Sequence, residues 1–246
     1  MGSDARIDGT AEPAENLEHY CVCLTPADLP ANVQAAMSSR RAAVLKFARW
    51  DNGSKISIRF LGGDPALQKR VRQVALEWTQ IANLTFEFLN EGPADIRIAF
   101  APGKGSWSRL GTTCRGIEEH LPTMNFGWLK PESPDSTLRR VVLHEFGHAI
   151  GLIHEHQNPD GGIEWDRAAV MKDLSGPPNN WSAAQIETNM FQHYPKEEVI
   201  TTTVDRNSIM IYPIPKKWTL DGFSADFNIA LSDLDKTLIR NVYPRI

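Results

Sequence analysis

Hydrophobic and polar positions along this chain change period several times, and each change marks an element. Ile56, Ile58 and Phe60 alternate with Ser57 and Arg59, the period-two pattern of a strand with one buried face. Trp50-Asp51-Asn52-Gly53 precedes it as a turn, and Gly62-Gly63-Asp64-Pro65 ends it. Asp64 is placed to cap a helix with Pro65 at its first position, where a missing N–H costs no hydrogen bond. Leu67, Val71, Val74, Trp78 and Ile81 then recur at helical spacing, so this helix buries one stripe. Alternation returns in residues 85–89 (TFEFL) and 95–100 (DIRIAF), which read as two further strands.

Residues 101–119, rich in Gly and Ser, read as a long loop or ragged edge. Residues 123–128 (TMNFGW) form a short apolar strand, and a helix follows, capped by Asp135 or Ser136 and running through Leu138, Val142, His144 and Ala149. Beyond Gly151 the pattern loosens, with helical pieces near residues 166–174, 182–192 and 232–242. The order is strand, helix, strands, helix, then an irregular and helical remainder, which defines an α+β domain over residues 46–246. Residues 1–45 read as an N-terminal extension, polar and Pro-containing with a helical stretch at 32–47. A pro-segment and a structural arm are both open for it.

Composition narrows the classes of partner. The 246 residues are 41% hydrophobic and 23% charged, enough to bury a core without disulfide support. A formal net charge of −4 argues against nucleic acid or an anionic membrane as partner. No apolar run approaches the roughly 18 residues of a membrane span. The expected state is a monomer, secreted with any leader absent from this sequence; a cytoplasmic location is the alternative. Cys21 and Cys23 lie too close to pair with each other, so either one bonds Cys114 or all three stay reduced.

The string His144-Glu145-Phe146-Gly147-His148-Ala149-Ile150-Gly151-Leu152-Ile153-His154 carries chemistry. Four residues are about one helical turn, so His144 and His148 share a face and can grip one Zn²⁺. Glu145 projects to the side, where a general base can act without occupying the metal. A third ligand cannot continue along the same face. Gly151 can adopt the left-handed conformation that ends a helix, turning the chain so that His154 arrives from another direction. Three imidazoles leave a fourth position open, the arrangement of a catalytic rather than a structural zinc site.

This string matches HExxHxxGxxH and resembles the metzincin zinc peptidases. Ser208-Ile209-Met210-Ile211-Tyr212 is similar to the SIMxY turn of their astacin-like branch. The resemblance implies a zincin-like fold: a mixed sheet and the active-site helix in an upper half, a cleft near Gly151, and a mainly helical or irregular lower half. It implies zinc on His144, His148 and His154, Glu145 as catalytic base, Met210 as an apolar floor, and Tyr212 as a switchable ligand or oxyanion donor. Glu155 follows the third histidine as in that branch, where it anchors a mature N-terminus. Residues 156–159 depart from the branch's pattern, and three cysteines cannot form its paired disulfides, so the chain reads as an astacin-like relative rather than a member.

The implied activity is zinc-dependent hydrolysis of polypeptides by an endopeptidase, with the substrate added as a strand along an exposed edge near residues 124–128. A zinc-bearing binding module without catalysis and a hydrolase of other amides are the alternatives. Cys21 or Cys23 can also block the zinc as a thiolate in a latent form. His156 is expected to face solvent or a carboxylate, and His19, His120 and His193 to be structural.

Overall fold

The computed structural model describes residues 20–24, 48–196, 199–200 and 203–245. The helix expected at 32–47, His19 and most of the extension lie outside these residues.

The first strand of the domain forms as its alternation requires. β2 (Lys55–Phe60) buries Ile56 and Ile58 completely. α1 (Pro65–Ile81) starts where Asp64 accepts from the N–H groups of Ala66 and Leu67, at 2.7 and 3.1 Å. It crosses over to β3 (Thr85–Leu89), which lies parallel to β2, as a helical connection permits. β4 (Ile96–Ala99), β5 (Ser106–Arg109) and β6 (Met124–Phe126) follow. A further strand, β1 (Val22–Leu24), comes from the N-terminal extension. The six-stranded sheet has the order β1-β5-β6-β4-β2-β3. β6, β4, β2 and β3 are parallel, whereas β5 runs antiparallel to β6 and β1 runs parallel to β5.

Two expectations fail here. Residues 101–119 are not merely a loop: Ser106–Arg109 forms β5, and a 3₁₀ segment spans Gly111–Gly116. Asn125 of β6 explains the order, since its amide donates to the carbonyls of Gly105 and Ala101 and its oxygen accepts from Ala101 N–H, clamping the loop that feeds β5. Consequently residues 124–126 are not a sheet edge. β6 is paired on one side by β4 and on the other by β5. The edge beyond β5 is the one that β1 engages.

α2 (Asp135–Ala149) lies over the sheet beside α1, with Trp78 Nε1 donating to Leu143 O at 3.0 Å and Phe86 against Phe146. The expected side-chain cap by Asp135 or Ser136 is absent. Pro134 holds the cap position, Asp135 is already helical, and its carboxylate pairs with Arg70 instead. The upper core, between helices and sheet, contains Ile56, Ile58, Val71, Trp78, Met124 and Phe146. A second core lies in the part after Gly151, around Val170, Leu174, Trp181, Met190, Tyr212 and Trp218. Three helical pieces appear there close to their expected bounds: α3 (Arg167–Ser175), α4 (Ala183–Ile186) continued by a π-turn over Glu187–Phe191, and α5 (Asp233–Val242). Asp166, Ser182 and Ser232 are their N-caps.

Candidate metal centre

α2 places His144 and His148 one turn apart, with their ring centroids separated by 4.8 Å. The helix then ends in a Schellman turn: Gly151 has φ +100°, its N–H bonds His148 O, and Leu152 N–H bonds Gly147 O. Trp50 Nε1 and the Tyr243 hydroxyl take up the exposed carbonyls of Ala149 and Ile150, so the turn is held from outside as well. The chain leaves in the direction that brings His154 back to its partners, and His148 and His154 Nε2 atoms are 3.1 Å apart.

Each imidazole is oriented by an acceptor on its other nitrogen. His144 Nδ1 donates to Ile209 O at 2.7 Å and His148 Nδ1 to Leu152 O at 2.8 Å. His154 Nδ1 meets Gln157 Oε1 at 3.2 Å, while Gln157 gives its own N–H groups to Thr188 O and Gln192 O. These contacts put the protons on Nδ1 and turn three Nε2 lone pairs toward one point, the tautomer that a metal requires. Burial pushes all three histidines below their usual range, His148 to about 4, so they are neutral donors.

The fourth donor is Cys21. Its sulfur lies 2.9, 3.3 and 4.0 Å from the Nε2 atoms of His144, His154 and His148. The four ligand atoms all fall within 4.8 Å of one another, and all four residues are buried. Bonds of ~2.0–2.3 Å in a tetrahedron separate donors by roughly 3.3–3.6 Å, so the cluster fits Zn²⁺. The open fourth position expected from the histidines alone is therefore taken by a thiol. Cys21 and Cys114 are both reduced, and no disulfide links them.

Around the cluster, Glu145 is buried, and its Oε2 has no hydrogen-bond partner among the described residues. Burial raises its pKa well above the carboxylate range, against the lowering influence of Arg140 and a hydrogen bond to Cys21. Tyr212 donates its hydroxyl to the backbone carbonyl of Cys21, and its ring packs on His154 at 4.2 Å. Met210 lies beneath α2 against Gly147, where a Cβ would come within 2.3 Å of its sulfur. A pocket opens beside His144 and Glu145, walled by Val141, Ile209, Ile211, Pro213 and Phe227.

Other sequence candidates resolve as follows. His156 is not solvent-facing: it is fully buried, bonds Asn189 O at 2.8 Å and packs at a tilt against Tyr212, because the 3₁₀ turn over Glu155–Gln157 directs it into the second core. Glu155 accepts from Asp205 N–H, and burial raises its pKa to about 7. His120 is exposed beside Glu118, and His193 bonds Asn158 O. Three contributors went unread in the sequence. Gln157 orients His154. Asp235 accepts from Ser208 Oγ, Ile209 N–H and Ser232 N–H, tying the Met210 turn to α5. Tyr20 packs beside Tyr212. Only Asp235 had a signal, the Ser232-x-x-Asp235 spacing of a capping box.

A helix carrying two histidines, a glycine-turned third and a methionine turn below them define a metzincin zinc site. The model of the astacin peptidase family matches residues 43–216, and the chain belongs to that family. Myroilysin is similar in structure at 42% identity and TM-score 0.80, covering 82% of this chain and 98% of its own. The high choriolytic enzyme 1 of Oryzias latipes, a hatching enzyme zinc-protease, shares the fold at 14% identity and TM-score 0.55, over 80% of this chain and 95% of its own. Among curated proteins, zinc metalloproteinase dpy-31 of Caenorhabditis elegans is 26% identical over 70% of this chain and 30% of its own length. The chain thus spans about a third or less of such curated relatives. Membership in the family corrects the sequence reading, which took the chain for a relative because three cysteines cannot form the family's paired disulfides. No helix among the described residues is long and apolar enough to cross a membrane.

Proposed function

We propose that this chain is a zinc-dependent endopeptidase held latent by its own Cys21. One observation carries the reading. Three neutral imidazoles converge beside a buried glutamate whose Oε2 has no partner among the described residues, and a peptide segment already lies across them.

His144, His148 and His154 would hold the zinc, which when bound supplies a Lewis acid that acidifies water and polarises a carbonyl. Glu145 takes the proton from the attacking water and passes it to the leaving amine, through an oxygen that no donor among the described residues occupies. Tyr212 donates to the carbonyl oxygen as charge develops there. Its present bond to the Cys21 carbonyl supports that role, since it shows the hydroxyl reaching a peptide oxygen beside the metal ligands. Met210 packs under Gly147 and keeps the two-histidine turn from sinking into the core.

The substrate is a polypeptide laid along the outer edge of β5, in the place β1 takes here. Backbone pairing suits chains of varied sequence, which favours polypeptide over a small amide. Cys21 occupies the place beside the three histidines that an attacking water would need, so residues 1–45 act as a pro-segment that must be displaced.

The test uses zinc-loaded full chain carrying Cys21→Ala, incubated with a denatured protein with and without a chelator. Internal cuts that the chelator abolishes are the expected result. Zinc binding without any cuts would favour a binding module, and cleavage confined to small amides would favour the other alternative.

A further inference from the structure

Tyr20, the residue before the thiol, does not simply lie on the cleft surface. It is 5% exposed and inserts its ring between Tyr212, Trp218 and Trp181, at centroid distances of 5.2, 5.5 and 6.2 Å. Its hydroxyl donates to Pro213 O at 3.1 Å, so the far end of the space is polar. An aromatic ring with a hydroxyl thus meets three aromatic neighbours around it and a carbonyl at its tip.

Two walls of this box are fixed from outside it. Trp218 Nε1 donates to Asp173 Oδ2 at 2.7 Å, and Trp181 N–H bonds Leu174 O at 2.9 Å, so both tryptophans are pinned to α3. Lys217 holds the same Asp173 carboxylate at 2.6 Å. None of these bonds involves Tyr20, so both tryptophan walls stay in place when Tyr20 leaves, while Tyr212, whose hydroxyl now bonds the Cys21 carbonyl, keeps its packing on His154 and His156. Tyr212 serves as both a wall of the box and a neighbour of His144 and His154, which sets the distance between box and metal centre.

We propose that Trp181, Trp218 and Tyr212 form an aromatic subsite for bound peptides, which takes a tyrosine or phenylalanine side chain one residue removed from the residue at the metal. Tyr20 fills it as an internal ligand. The inference rests on the peptidase reading, because the box is useful to a substrate only once residues 20–24 have withdrawn. Recognition is by side chain, so it holds whichever way the bound peptide runs. Burying an aromatic ring in such a box is worth a binding gain of at least about tenfold over alanine, and the Pro213 carbonyl adds roughly threefold for tyrosine over phenylalanine.

The test uses the zinc-loaded full chain with Tyr20→Ala and Cys21→Ala, which empties both the box and the fourth position. Hexapeptides that differ only by Tyr, Phe, Leu or Ala at one scanned position are compared by kcat/KM. Their affinities for the same chain bearing Glu145→Gln are measured by calorimetry and tryptophan fluorescence. The expected result is a preference of Tyr over Phe over Leu and Ala at a single position. Trp181→Leu, which keeps an apolar wall, should reduce it about threefold or more while zinc stoichiometry stays at one. Equal binding of all four peptides at every position overturns the subsite, whether or not the peptides are cut. A binding preference without cleavage sustains the subsite and overturns the peptidase reading, and cleavage without preference does the reverse.

Discussion

The sulfur of Cys21 lies 2.9 Å from Nε2 of His144, although 123 residues separate the two in the chain. Nothing local brings them together. β1 docks on β5, Tyr20 seats among the indoles, and the thiol is delivered between these two anchors to the one place where three imidazole lone pairs meet.

Cys21→Ala should raise peptidase activity of the intact chain by at least about tenfold, because a position closed by a thiolate is reopened. Zinc content should remain near one per chain, held by the three histidines. Activity equal to that of the unaltered chain would remove Cys21 from any role in latency.

Replacing Glu145 by Gln keeps the shape of the side chain and removes its basicity. In the Cys21→Ala background kcat should fall by about 10²–10⁴ with zinc stoichiometry unchanged, since Glu145 is not among the converging donors. Near-normal turnover in that variant would move the base elsewhere.

Asp235→Ala should destabilise the chain by roughly 2–4 kcal/mol, because Ser208 Oγ and the N–H groups of Ile209 and Ser232 would lose a charged acceptor in a buried setting. It should also weaken zinc binding about tenfold, since Ile209 supplies the carbonyl that orients His144. Asp233→Ala, on the exposed first turn of the same helix, is the control and should change stability by no more than about 0.5 kcal/mol. Equal effects from the two would mean that Asp235 does not organise the turn.

At Gly151, φ is +100° and an added Cβ would meet nothing closer than 3.7 Å, so strain there is in the backbone and not in packing. Gly151→Ala should therefore cost about 1–2 kcal/mol and lower Tm by roughly 2–8 °C. A zinc titration should show weaker binding as well, since His154 reaches the site through this turn.

Alkaline pH should destabilise the chain before it touches most surface charges. Burial raises Cys114 to about 12 from 9.0 and Tyr243 to about 12 from 10.0. Above pH 9 the unfolded chain therefore loses protons that the folded chain retains, and stability falls as pH rises toward 12. The contribution is complete below pH 9 and is on the order of a few kcal/mol, since each tenfold change in proton affinity is worth about 1.4 kcal/mol. Denaturant midpoints measured from about pH 8 to about pH 11 should fall steadily, and a flat profile would contradict the burial of these groups.

Much of the centre was legible because it is local. His144, Glu145 and His148 need only the pitch of a helix, and Gly151 needs only its missing Cβ, to set two ligands and redirect the chain toward a third. The same holds for α1, whose Asp64-Pro65 start and apolar stripe are short-range signals. The turn at Met210 was legible only by resemblance. Its physical basis, Asp235 holding the turn from another helix and Gly147 leaving room for the sulfur, spans distant parts of the chain.

What escaped the linear reading is what depends on pairing. Whether residues 124–126 are an edge rests on which strand lies beside them, and a four-residue strand such as Ser106–Arg109 in a Gly- and Ser-rich stretch has too little pattern to announce itself. His156 looked solvent-directed because a 3₁₀ turn changes the side-chain direction within two residues. By itself, then, the sequence determined which three histidines converge and that Glu145 lies beside them, since helix periodicity and one glycine suffice. Only the tertiary structure decided that Cys21 meets that site, and that Tyr20 fills an aromatic box. Sheet register and packing between remote segments choose those neighbours, and neither is written in residue spacing.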